Sequence, residues 1–175
     1  MEISKNQNAA VNDIVTMVAG SVKNESGDID TVEAISGTAR LAGSFLFRSF
    51  GFTLDDAKPG SVVLSEEANA KGPQLVNITY SVLQHFGVLI DNNKMSLETQ
   101  KQSASSFVDM MARIQRPALE IMEKHDLDYE QMAQSAAIAT AFLIQQSEDL
   151  TAEEGLGTAI YHYVEGIKTY PPDID

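Results

Sequence analysis

Apolar residues recur at intervals of three and four along almost the entire chain, and one short run, Ser61-Val62-Val63-Leu64, reads more like a strand than a helix. Side chains spaced in this way are buried together only when the backbone is helical and neighbouring helices pack their apolar stripes against one another. The sequence therefore predicts an all-α fold, a bundle of about six helices with one irregular excursion at about 53–72. At 175 residues the chain is close to the common domain size, and a single domain over 1–175 is expected. A folded chain of this size hides roughly 70% of the surface that its unfolded form exposes, so it needs no disulfide or metal staple.

Capping signals mark the helix limits. A first helix is expected over about 7–23, with Val11, Ile14, Val15, Val18 and Val22 on one stripe. Valines are middling helix formers, so packing must hold it. A second opens at Asp30, where Glu33 completes a capping-box pattern, and closes at Gly51, which suits a left-handed cap. Its phase gathers Leu41, Ala42, Phe45, Leu46 and Phe50 on one side, and Glu33, Gly37, Arg40, Ser44 and Arg48 on the other. Inside the excursion Ser65 caps a short turn over 65–70, after which Pro73 begins a third helix that ends at Gly87. The fourth is predicted from Ser96 to about Lys124 with a bend at Pro117. Asp128 with Gln131 caps a fifth over about 128–146, apolar on nearly every side from Ala136 to Ile144 and so expected at the centre of the bundle. Thr151 with Glu154 caps the sixth, which Pro171-Pro172 stops; its phase turns Leu156, Ala159, Ile160, Tyr163, Ile167 and Tyr170 inward and His162 outward.

Twelve basic residues against 25 acidic ones leave a net charge of −13, which argues against a phosphate-binding surface, and no nucleic-acid partner is expected. The absence of cysteine excludes a disulfide framework, a thiolate zinc site, an iron–sulfur cluster and a cysteine nucleophile. The strongly apolar stretches 41–52 and 136–144 fall short of the roughly 20 residues that cross a bilayer, and the first residues carry no signal-peptide core. A cytoplasmic protein with no membrane association is expected. From Asp126 to Asp175, ten acids face Lys168 alone. Glu148, Asp149, Glu153 and Glu154 bracket one helix start, where acids stabilise exposed amides, but that does not account for the shortage of bases.

The three histidines lie on different elements without ligand spacing, and the nearest approach to a metal motif is the reversed step His162-x-x-Glu165. No metal is expected. His85 reads as partly buried with one hydrogen bond, and His125 as a cation complementing a helix end. Asp109 with Arg113, Arg116 with Glu120, and Glu120 with Lys124 make a solvated strip of charge pairs. Arg40 and Arg48 flank Ser44 on a helix of small residues and form a candidate anion-binding pair; ion pairing with acidic loops such as Asp55-Asp56 is the simpler expectation. No phosphate-binding glycine loop, nucleophile elbow or Ser-x-x-Lys motif is present, so no catalytic set and no cofactor are expected.

Three functional readings follow. The first is a non-catalytic acidic binding or regulatory protein that meets a basic macromolecular partner through Glu148, Asp149, Glu153 and Glu154; bacterial immunity proteins share this logic of charge, and of charge alone. The second is a structural homo-oligomer in which the first helix, or the small-residue stripe of the second, packs across a two-fold axis. The third is a small-ligand-binding protein or an undescribed enzyme with an apolar pocket lined by Phe45, Phe86, Met110, Met111 and Phe142, although methionines at helical spacing more often belong to a core.

Overall fold

The first turn of an α-helix leaves amides without partners, and in this chain short polar side chains take them up at nearly every helix start. The computed structural model describes residues 2–174, so Asp175 of the acidic run lies outside the described residues. Its helices are α1 (Lys5–Ser21), α2 (Thr31–Ser49), α3 (Glu66–Lys71), α4 (Pro73–His85), α5 (Phe107–Lys124), α6 (Tyr129–Gln146) and α7 (Ala152–Ile167). Ser4, Asp30, Ser65, Ser106, Asp128 and Thr151 are the N-caps of all but α4, which starts on Pro73. Reciprocal capping boxes form at Asp128 with Gln131 and at Thr151 with Glu154, and one not read from the sequence joins Ser4 and Gln7. Gly51 and Gly87, just past α2 and α4, take φ of +67° and +75°, a region that costs other residues strain.

The helices share one core, and among the described residues extended pairing is limited to two isolated bridges. No described helix is long and apolar enough to cross a membrane. The apolar α6 is buried along most of its length, as its composition requires. It shares the centre with α2, in which every residue from Glu33 to Phe47 is buried. The polar side of α2 from Glu33 to Ser44 is thus inside the protein as well, where α7 packs against it. The two backbones touch: a Cβ on Gly43 would lie 2.6 Å from the Tyr163 carbonyl, and one on Gly166 would lie 2.5 Å from the Arg40 carbonyl. The small-residue stripe of α2 is therefore filled by α7 of the same chain and is not open to a second copy. Likewise the apolar stripe of α1 packs into the common core.

The helix predicted from Ser96 begins eleven residues later. Ser96 does cap a helical turn, but a 3-10 turn of three residues, Leu97–Thr99, and residues 100–106 are irregular. Their backbone is held by side chains of other elements: the Lys101 amide donates to Thr158 Oγ1 (3.0 Å) and the Ala104 amide to Glu33 Oε1 (2.7 Å). The lack of a side chain at Gly157 admits this loop, since a Cβ there would meet Thr99 at 2.8 Å. α5 then runs through Pro117 without interruption.

Candidate functional site

Two groups of polar residues stand out. The first, built around the buried Glu33, Arg40 and His162, was not foreseen. Arg40 pairs with the Glu165 carboxylate, Nε and Nη2 serving its two oxygens, and its Nη1 donates to Ser103 Oγ and to the Ser105 carbonyl, each at 3.0 Å. The partner is thus α7 and not the loop at Asp55-Asp56, both of which are exposed. Ser103 Oγ donates in turn to the Glu33 carboxylate at 2.7 Å. Burial alone would raise the Glu33 carboxyl; the hydroxyls of Ser103 and Ser105, the Ala104 amide and the charge of Arg40 outweigh it and hold the group below its ordinary value.

His162 completes this network. Expected on the outward side of its helix, it is 0% exposed. The Thr158 carbonyl, 2.7 Å from Nδ1, can only accept, so Nδ1 carries the proton and Nε2 accepts the Ser103 amide at 3.3 Å. Burial and the nearby Arg40 push the imidazole below its ordinary value, against the opposing pull of the Thr158 carbonyl, Glu165 and Glu33, so it is neutral near pH 7. The network contains a serine, a histidine and two carboxylates, yet the histidine bonds the serine amide and not its hydroxyl, which is committed to Glu33. It therefore lacks the nucleophile–base pair of acyl-transfer chemistry. Among the described residues no three His, Asp or Glu side chains converge as metal ligands. The serines at 103, 105 and 106, a loop-forming and capping composition, were the sequence signal for this feature.

The other candidates fall apart in space or are differently placed. Arg48, two helical turns beyond Arg40, donates from Nη2 to Gln115 Oε1 (3.2 Å) and to the Pro172 carbonyl (2.8 Å). Burial lowers its pKa, with Tyr129, Asp173 and Tyr170 opposing, and its Nε has no hydrogen-bond partner. The two arginines serve separate partners and do not form one anion site. Met110, Met111 and Phe45 have zero exposure within the core, whereas Phe86 is exposed and stacks edge-on against Phe142 at 4.9 Å. None of these five residues lines any of the five surface cavities described. His85 is exposed, not partly buried. His125 does sit at the end of α5, but it bonds Asp13 at 2.7 Å, as Lys124 does at 2.9 Å, so Lys124 is drawn to α1 and away from Glu120. Of the pairs expected along α5, Arg116 with Glu120 forms, while Arg113 reaches Ser105 Oγ.

The second group is the acidic surface. Glu154 closes the α7 capping box and lies 3.6 Å from Lys101 Nζ; Glu153 accepts the Asp91 amide at 2.8 Å. These two serve the local structure. Glu148 and Asp149 are exposed, and Thr31 Oγ1 donates to Asp149 Oδ2 at 3.3 Å. That contact brings the turn between α6 and α7 against the turn between α1 and α2. A surface cavity of about 490 Å³ results, lined by Asn24, Asp28, Ile29, Asp30, Thr31, Val32, Asp149 and Leu150. Asp30 is engaged in capping α2, but Asp28 and Glu25 are exposed, and Ile29 between the acids is 48% exposed. Lys23, whose backbone bridges Ile29, is exposed and adds one base beside this face. Comparison of this chain with known protein families, with curated proteins and with solved structures gives no significant match.

Proposed function

We propose that this chain is a non-catalytic binding protein that meets a basic macromolecular partner on the acidic face formed by the α1–α2 and α6–α7 turns. The observation that carries this reading is the Thr31–Asp149 contact, which brings Asp28 and Asp149 to one cavity with the half-exposed Ile29, Glu148 being the exposed neighbour of Asp149 in the chain. Acids that cap helices have a structural use; these three do not begin a helix, and a net charge of −13 makes their close approach to one another unfavourable without a cationic partner. An apolar side chain inside a charged rim is the usual anatomy of a protein interface: the centre supplies burial, and the rim supplies steering and register. Glu153 and Glu154, which sequence alone placed in the same set, belong to the local structure of α7 and contribute only to the general field.

The test is affinity capture from the native host at about 50 mM salt, followed by binding measurements with the purified partner. The expected partner is strongly basic, and its affinity falls at least about tenfold between 50 and 200 mM salt and again with Asp28→Lys and Asp149→Lys. A partner that binds the doubly reversed variant as tightly as the natural chain, or a salt-independent affinity, overturns the reading.

A further inference from the structure

On another face, the segment that alone reads as strand in the sequence takes part in one of the two isolated antiparallel bridges. Ser61–Val63 lies antiparallel to Lys168–Tyr170: the Tyr170 amide donates to the Ser61 carbonyl and the Val63 amide to the Lys168 carbonyl, each at 2.8 Å, with Val62 opposite Thr169. In this pattern the N–H and C=O of Val62 point away from residues 168–170, and those of Leu64 follow by alternation. Among the described residues nothing hydrogen-bonds these four groups. The side chains are as open as the backbone, Val62 being 74% and Leu64 76% exposed. Beside them Val62 shares a cavity of about 470 Å³ with Val108 and the half-exposed Val164. An apolar strand edge with free donors and acceptors is a template for another strand.

We propose that residues 61–64 form a dimerisation edge that pairs antiparallel with the same segment of a second copy. The self-complementarity is geometric. A two-fold axis at Val63 sets Val62 opposite Leu64 of the other copy, and both residues present their N–H and C=O to the partner, so four hydrogen bonds close across the axis. Charge favours the same partner: the axis brings the Lys58 end of one segment toward Glu66 and Glu67 of the other. Lys58, Glu66 and Glu67 are all exposed, and among the described residues none of them is in an ion pair. The edge is short and each copy carries −13, so the dimer is concentration-dependent and screening strengthens it. This is opposite in sign to the salt response of the acidic face.

The chain has no cysteine, which permits a register test. In the proposed pairing Val63 faces Val63 of the other copy as a non-hydrogen-bonded pair, with Cα atoms about 4.5 Å apart, within disulfide reach. Val63→Cys is expected to give a disulfide-linked dimer on mild oxidation, reversed by reductant. Val62→Cys, which faces Leu64 and lies beyond reach of its own copy, is expected to stay monomeric under the same treatment. In sedimentation of the natural full-length chain up to about 0.5 mM, the mass should rise from 19.0 kDa toward twice that value, more so in 500 mM than in 50 mM salt. Val62→Lys with Leu64→Lys should abolish the rise, while Leu97→Lys, at a residue 84% exposed elsewhere, should leave it intact. A natural chain monomeric throughout, equal cross-linking of the two cysteine variants, or association that survives the double lysine substitution overturns the proposal.

Discussion

At the scale of single residues, the buried histidine has the most to say about conditions. His162 is neutral in the fold because protonation would leave two positive groups, it and Arg40, in the same desolvated network and would remove the acceptor that the Ser103 amide needs. Its folded pKa lies below 6.5, so between those two values the unfolded chain binds a proton that the folded chain does not, and stability falls as pH drops below about 6.5. Glu33 has a folded pKa below 4.5, and the stability it contributes is present above 4.5 and is lost as pH falls through the folded value. Calorimetry is therefore expected to show a melting temperature that is flat near neutrality, declines below about pH 6.5 and drops more steeply below about pH 4.5. His162→Gln, whose amide can donate to Thr158 and accept from Ser103, should flatten the first decline and keep the second. A variant that follows the natural chain through both would assign the upper decline to another group.

At the scale of elements, the fold turns on the approach of α2 to α7. Helix axes come this close only where both surfaces lack side chains, and Gly43 with Gly166 supplies that at the crossing. Gly43→Ala or Gly166→Ala places a methyl group into the opposing backbone, which cannot yield as a side chain can. Each is expected to destabilise the protein by roughly 1–3 kcal/mol in urea titration. Gly20 in α1 is the counter-example: a Cβ there meets nothing within 4 Å, and Gly20→Ala is expected to stabilise by about 0.5–1 kcal/mol. If all three substitutions had the same sign, the α2–α7 crossing would not be the tight one. Helix limits were readable where the cap and its partner lie within four residues, as at Asp128 with Gln131 and Thr151 with Glu154. The limit was missed at α5, whose predicted first turns are unwound by hydrogen bonds to Glu33 and Thr158, residues 71 and 57 positions away.

At the scale of the whole molecule, the net charge of −13 acts on every process at once. Like charges on a compact surface repel, and the Debye length shrinks to about 10 Å at 0.1 M salt. Thermal stability is therefore expected to rise by a few degrees between about 20 and 200 mM sodium chloride. An unchanged or lower melting temperature would mean that specific ion pairs, such as Arg40 with Glu165, outweigh the general repulsion. The same screening separates the two surfaces described above, since it weakens capture of a basic partner at the acidic turns and favours self-pairing at residues 61–64.

The sequence by itself determined the class of fold and most helix limits, because hydrophobic period, caps and breakers act over a few residues. It also marked Ser61–Leu64 as the one segment unlike the rest, since alternation too is local. Only the tertiary structure decided that Glu33, Arg40 and His162 lie inside and that Asp28 joins Asp149 on one face. A polar side chain can leave water only if a partner replaces it, and here the partners come from helices and loops 59–125 residues away in the chain.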